Sequence, residues 1–326
     1  MKLVLLALFL VAVILASIVL GRYSISLDAW RHFLLHPGNS DVAAQVLLRV
    51  RLPRILGGLL IGAGLSVSGG AYQGLFRNPL ISPDILGASA GAGIGAAIAI
   101  LLGCGAPAIQ AISFLGGLAA VGATCFVAGR VRLGNDPVLA MVLSGVMMAS
   151  ICEALISLTK TVADPEDKLP AITFWLMGSL SSINATSLVW LLILIPLGIV
   201  VLMVMRWKLN VLSMGEEEAA SLGVDTRKAR WLIVLSATML TTAAVSVSGM
   251  IGWVGLVIPH LARMIVGPNY KVLLPASILL GGSYMLLVDD LSRSAMASEI
   301  PLGILTHLIG APFFLYLLIR TRQGWA

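Results

Sequence analysis

The chain has 326 residues, of which 59% are hydrophobic and only 11% charged. Soluble domains hold roughly 45–50% apolar and about 25% charged residues, so this composition excludes a soluble globular domain and a disordered chain alike. The net charge of +6 requires no nucleic-acid partner, because lysines and arginines in loops are what orient a membrane protein.

Apolar runs long enough to cross a hydrocarbon layer of about 30 Å recur along the whole length. They fall at 3–20, 55–76, 85–103, 108–128, 138–158, 188–205, 230–249, 251–266, 272–288 and 301–319. Ten helical spans are predicted, since backbone polar groups in lipid must pair within their own segment and these runs lack the alternation of barrel strands. The first run is longer than a signal-peptide core and no A-x-A site follows it, so it reads as a retained span. One membrane domain, 1–326, uses the whole chain, without a soluble linker or a low-complexity tail.

An even number of spans places both termini on one side. With the termini in the cytoplasm, thirteen basic residues fall inside, among them Lys2, Arg77, Arg130, Arg132, Arg206, Arg227, Arg230, Arg263 and Arg322. Eight fall outside: Arg22, Arg31, Arg49, Arg51, Arg54, Lys160, Lys168 and Arg293. The bias favours that orientation, yet Arg49, Arg51, Arg54 and Arg293 oppose it. Interfacial snorkelling accounts well for one arginine and poorly for a cluster; a docking site for an acidic external partner accounts for all of them. Asp289 and Asp290, at an outer helix end beside Arg293, are expected to hold it through local surface ion pairs of modest strength.

The second and seventh spans share the string SVSG, at 66–69 and 246–249, each followed ten residues after its glycine by a proline, Pro79 and Pro259. Spans in opposite directions carrying one string point to an inverted repeat, with halves near 50–160 and 228–320, although a short match of small residues also arises by chance. Gly87, Gly91 and Gly95 recur every four residues, as do Gly58 and Gly62. Such ladders let helices approach closely in lipid. GAGIGAA fits no dinucleotide or phosphate-loop register, so any ATP is bound by another chain.

The longest inner polar segment, 208–230, reads as two short helices. Ser213 with Glu216 forms a capping box, Gly223 is a left-handed stop, and Asp225 or Thr226 caps the next helix. A solvated connector and a lever for a partner are both compatible with that pattern.

Several residues suggest chemistry. Glu153 lies inside the fifth span, where an ionisable group is costly and suggests function. An ion-coupled carrier would need several such groups facing one cavity, and no other acid stands clearly mid-membrane, so a packing or cavity-edge role is favoured. His260 and His307 have no partner at ligand spacing and read as hydrogen-bonded structural histidines. Cys104, Cys125 and Cys152 lack C-x-x-C spacing and read as small packing residues. No catalytic triad, zinc motif or paired carboxylates occur, so the chain is not expected to be an enzyme.

Five segments in order, RLPRILGGLLIGAGLSVSGGAYQGLFRNPLISPDILG (51–87), FWLMGSL (174–180), LSMGEEEAASLGV (212–224), GWVGLVIPHLAR (252–263) and EIPLGILTHLIGAPFFLYLL (299–318), resemble the permease subunits of ABC importers for cobalamin, ferric siderophores and haem, the type II importer family. The resemblance implies an all-α polytopic membrane protein in the cytoplasmic membrane. It implies a homodimer around a central path, two cytoplasmic ATP-binding subunits that use ATP and Mg, an external substrate-binding protein, and no cofactor or metal in this chain. Residue by residue, Arg51, Arg54 and Arg293 match the positions that receive glutamates of the binding protein. Glu216, Glu217, Glu218, Ala219, Ala220 and Gly223 match the helices seated on the ATPase. Asn78 and Leu80, with Val138 and Leu139, match a cytoplasmic gate, the second pair departing from the small polar residues of the cobalamin permease. The expected cargo is a metal chelate, a ferric siderophore before haem, cobalamin or molybdate, with an ion-coupled secondary transporter using Glu153 as the alternative.

Overall fold

The computed structural model describes residues 1–21, 45–131, 137–296 and 298–320. Arg22, Arg31, Arg132 and Arg322 of the charge balance, and most of the GNDP segment before Val138, lie outside the described residues. The described chain is all-helical, with 83% helix and no strand. In order its helices are α1 Lys2–Val19, α2 Leu52–Leu75, α3 Ala88–Leu101, α4 Ala106–Arg130, α5 Pro137–Val162, α6 Lys168–Met177, α7 Ala185–Leu212, α8 Glu216–Ser221, α9 Thr226–Ser248, α10 Val254–Val266, α11 Tyr270–Ser294 and α12 Leu302–Arg320. A π-helical turn, Leu47–Arg51, leads into α2, and a 3-10 turn, Pro83–Leu86, precedes α3.

Each predicted span contains a helix, but the spans are of two kinds. Among the described residues seven helices are long and apolar enough to cross a membrane, and three apolar segments, α3, α10 and Leu302–Tyr316 of α12, are shorter. The apolar helices α3 and α10 have 14 and 13 residues, about 20 Å at 1.5 Å per residue, short of the roughly 30 Å a crossing needs. A chain reversal beside each helix explains the shortness: Gly87 ahead of α3 has φ 83° and Trp253 ahead of α10 has φ 69°. The ten-residue α6 was not anticipated, because its apolar stretch ends at Gly178, where φ is 77°.

α2 is the axis of the bundle. Its apolar window is 83% buried, whereas that of α1 is 11% buried and faces outward. Glycine is what lets neighbours close on α2: a Cβ at Gly62 would lie 2.2 Å from the carbonyl oxygen of Gly281 on α11, and one at Gly69 would lie 1.7 Å from that of Gly255 on α10. The α3 ladder works likewise, Gly91 meeting Gly116 and Gly95 meeting Ile112 of α4. Gly87 is the exception, serving as the positive-φ residue before α3 rather than as part of a helix face. Between α2 and α9 the seam is polar: the Tyr72 hydroxyl lies 2.8 Å from Thr238 Oγ1, and Ser68 Oγ donates to the Ala237 carbonyl at 2.8 Å. Hydrogen bonds of this kind lock helices in lipid, where apolar surface alone gives no preference for a neighbour.

The two SVSG strings occupy non-equivalent places. The first lies in the middle of α2, the second at the end of α9, where Gly249 turns the chain with φ 71°. Pro79 follows a helix, whereas Pro259 lies inside α10. The string and its proline thus sit at different points of their helices in the two segments.

The bundle has two chemically distinct ends. α11 runs from Tyr270, whose backbone N–H donates to Asn210 near the end of α7, to Arg293 about 35 Å away along the axis. The first is called here the loop end, the second the arginine end.

Candidate functional site

At the arginine end the basic residues turn inward. Arg51 and Arg54 are only 4% and 8% exposed and Arg293 only 6%. Arg51 Nη1 donates to the Ile18 carbonyl at 2.6 Å, one of the open carbonyls at the end of α1. Arg54 forks between two carboxylates: Nε and Nη2 donate to Asp289 at 2.9 and 2.8 Å, while Nη1 and Nη2 donate to Glu299, each at 2.9 Å. Arg293 pairs with Asp290, lies 3.8 Å from Asp289, and donates to the Ser17 carbonyl at 2.8 Å. Ser17 Oγ in turn donates to Asp290 at 2.6 Å. The ends of α1, α2 and α11 and the segment before α12 are thus tied by one ionic clasp. The pairs of Asp289 and Asp290 were expected at the surface; Asp289 is 2% and Asp290 6% exposed, because an arginine in apolar surroundings must bring its counter-charge with it. Arg49 is the exposed arginine of the trio 49, 51 and 54.

Toward the arginine end three chain breaks meet. Ser179 N–H donates to the Ser248 carbonyl at 2.7 Å and Leu302 N–H to that of Gly178 at 2.9 Å. FWLMGSL, the loop after α9 and EIPLG therefore lie against one another. Beside them opens a cavity of about 660 Å³ whose wall includes Asp84, Glu153, Met177, Met250 and His307. Glu153 is a cavity-edge residue, as expected. The expectation that no second acid joins it is corrected: the 3-10 turn before α3 delivers Asp84 to the same cavity, and α12 adds His307. Ser89 Oγ donates to Asp84, and His307 Nδ1 lies 2.6 Å from the Gly303 carbonyl. Among the described residues no group of three or more His, Cys, Asp or Glu could hold a metal ion, and the three cysteines are free thiols.

The loop end carries α8. Glu217, Glu218, Ala220 and Gly223 are exposed and Glu216 is half-buried in an ion pair with Arg230 of α9. Ala219, matched by the resemblance to the helices seated on the ATPase, is fully buried beneath α8. The capping box is not formed. Ser213 instead closes α7, its Oγ donating to the Asn210 carbonyl at 2.7 Å, and Gly215 precedes α8. Gly223, with φ 77°, is the expected left-handed stop, and Asp225 caps α9 by accepting from Lys228 N–H at 3.0 Å. That bond, with the Lys228 ammonium 3.0 Å away, holds the Asp225 carboxyl below the usual carboxylate range.

The two expected gate pairs also fall at the loop end. α2 delivers Asn78 and Leu80 there, where Asn78 Oδ1 accepts from Leu80 N–H at 2.9 Å; Val138 and Leu139 stand in the first turn of α5. Asn78, Leu80 and Leu139 are exposed, while Val138 packs partly against the main core. Sequence reasoning missed Glu299 and Ser17 in the clasp and Asp84 in the cavity. The signal available for the two acids was their position beside helix breaks, in EIPLG and SPDILG.

The FecCD transport family matches residues 8–320. The molybdate import system permease protein MolB of Haemophilus influenzae is 40% identical over 98% of this chain and 95% of its own. A Helicobacter pylori protein, named as a probable iron chelatin transport system permease, is 40% identical over 96% of this chain and 97% of its own. A solved inward-facing structure of a transporter assigned to the metal-chelate ABC type superposes with a TM-score of 0.88 at 41% identity, covering 98% of both chains.

Proposed function

The chain belongs to the FecCD transport family and is a multi-pass membrane permease of the ABC importer class for metal chelates, and from that premise we propose that its cargo is a ferric siderophore, with haem, cobalamin and molybdate as neighbouring cargoes. In this reading two copies form the path. Two cytoplasmic subunits hydrolyse ATP, an external binding protein delivers the cargo, and both termini face the cytoplasm.

The observation that carries the reading is the exposed acidic helix α8 at the loop end. A six-residue helix projecting Glu217 and Glu218, tied through Glu216 and Arg230 to the largely buried α9, is a rigid handle on the bundle core. A motor that moves α8 moves α9. Asn78, Leu80, Val138 and Leu139 would close the path at that same end. The cavity beside α5 and α12 suits the wall of such a path, since among the described residues no clustered ligand set would hold the cargo too tightly to release it. At the other end the binding protein would dock over Arg51, Arg54 and Arg293. Its glutamates would have to share the arginine donors with Asp289, Asp290 and Glu299, of which the Glu299 side chain is the most open at 27%.

A second reading, an ion-coupled secondary carrier, gains from the meeting of Glu153, Asp84 and His307 in one cavity. Both are tested in proteoliposomes holding the permease with its partner subunits and binding protein. ATP-driven uptake of labelled ferric siderophore, lost when Glu217→Lys and Glu218→Lys are combined, is the expected result. Uptake that ignores ATP but collapses with the ion gradient, and is lost in Glu153→Gln, overturns it in favour of the carrier; ATP-driven uptake of molybdate alone overturns the siderophore assignment.

A further inference from the structure

We propose that the groove between α4 and α9 at the loop end is a binding site for an anionic phospholipid. Two recesses join there. The upper one, about 280 Å³, is walled by apolar residues of both helices, among them Leu118, Val121, Leu232 and Leu235. The lower one, about 380 Å³, includes Glu216, Arg227 and Arg230. They share Cys125, Trp231 and Val234, so they form one continuous channel, apolar above and charged below.

Its dimensions fit a lipid. From Thr226 to Thr238 the α9 wall rises about 18 Å, against about 15 Å for half of the hydrocarbon layer. α4 keeps the groove open with glycine: a Cβ at Gly122 or Gly129 would meet nothing within 4 Å. The mouth has the charge that selects a headgroup. Glu216 is already engaged by Arg230, so its carboxylate is offset. Arg227 is exposed, and Arg130, next to Gly129, is exposed with its guanidinium 4.9 Å from the Phe126 ring centroid. Trp231, 54% exposed, sits where charged mouth meets apolar groove, the level at which tryptophan is enriched in membrane proteins. A soluble anion would use the mouth and leave the groove empty; a zwitterionic lipid would fill the groove without using the mouth. An anionic diacyl lipid uses both, and with the loop end facing the cytoplasm, as in the proposed function, basic pockets between helices there favour such headgroups.

The test uses full-length permease assembled with its partner subunits in vesicles containing either brominated-chain phosphatidylglycerol or brominated-chain phosphatidylcholine at equal mole fraction. Quenching of Trp231 is read as the difference between the native protein and Trp231→Phe. The expected result is about fivefold tighter association of phosphatidylglycerol for each contributing arginine. Arg227→Gln and Arg130→Gln each remove that part of the preference, and Gly122→Leu, whose side chain enters open groove rather than packed core, weakens quenching by either lipid. Equal quenching by the two lipids, or a preference that survives both arginine changes, means bulk annular lipid only and overturns the proposal. Absence of Trp231 quenching by either lipid in the assembled complex places a protein over the groove and overturns it as well.

Discussion

The arginine end and the loop end of this molecule are both built from acids and arginines in short, motif-like segments, and burial gives them opposite characters. At the arginine end Arg54, Asp289 and Arg293 are each less than a tenth exposed, and the guanidinium of Arg54 is forked across two carboxylates. At the loop end the Glu216 and Arg230 side chains are 39% and 19% exposed, and Glu217 and Glu218 project into the open. A charge removed from water must be matched within the fold, so the first group is coupled to folding. A charge left in water is screened and remains available to a partner.

The largest effect that would break this comparison is expected at Arg54. Arg54→Ala strands Glu299 and leaves Asp289 only its longer contact with Arg293, and should cost about 3–5 kcal/mol, read as loss of folded protein after detergent extraction. Replacing Arg54 together with its two carboxylate partners, Arg54→Met with Asp289→Leu and Glu299→Met, should restore most of the yield, because Arg293 keeps Asp290 and apolar residues of similar volume often match a buried ion pair. A soluble, monodisperse Arg54→Ala protein of native melting temperature would show that the clasp is open in the membrane.

Next comes the packing that holds both ends at their fixed distance. Gly62→Ala would place a methyl group 2.2 Å from the Gly281 carbonyl oxygen and force α2 from α11, at about 1–3 kcal/mol. Gly122→Ala meets open space and should leave thermal unfolding within about 0.5 kcal/mol of native. Equal melting temperatures for the two variants would contradict the close crossing of α2 and α11.

The smallest effect is expected at the loop end. Glu216→Gln should lower stability by about 0–1 kcal/mol, an increment that fades as salt is raised. A double-mutant cycle with Arg230→Gln measures it. A coupling energy of several kcal/mol, insensitive to salt, would mean that this pair is as much a part of the fold as the clasp.

The sequence alone determined the class of this protein. Apolar runs, the glycine ladders at Gly91, Gly95 and Gly62, the stop at Gly223 and the cap at Asp225 are local or periodic signals; every run holds a helix, seven of membrane length among the described residues, and the structure keeps the ladders, the stop and the cap. The tertiary structure decided where charged and small side chains point. Ala219 faces the core; Arg51 finds the carbonyls of α1, 33 residues away, and Arg54 finds Asp289, 235 residues away. The same holds for the meeting of Asp84, Glu153 and His307 around one cavity, and for the shortening of α3 and α10 by adjacent chain reversals. Hydrophobic periodicity records how far a segment is removed from water, whereas the direction of a guanidinium is set by whichever acceptors the packed helices bring within about 3 Å, and those acceptors come from segments remote in the chain.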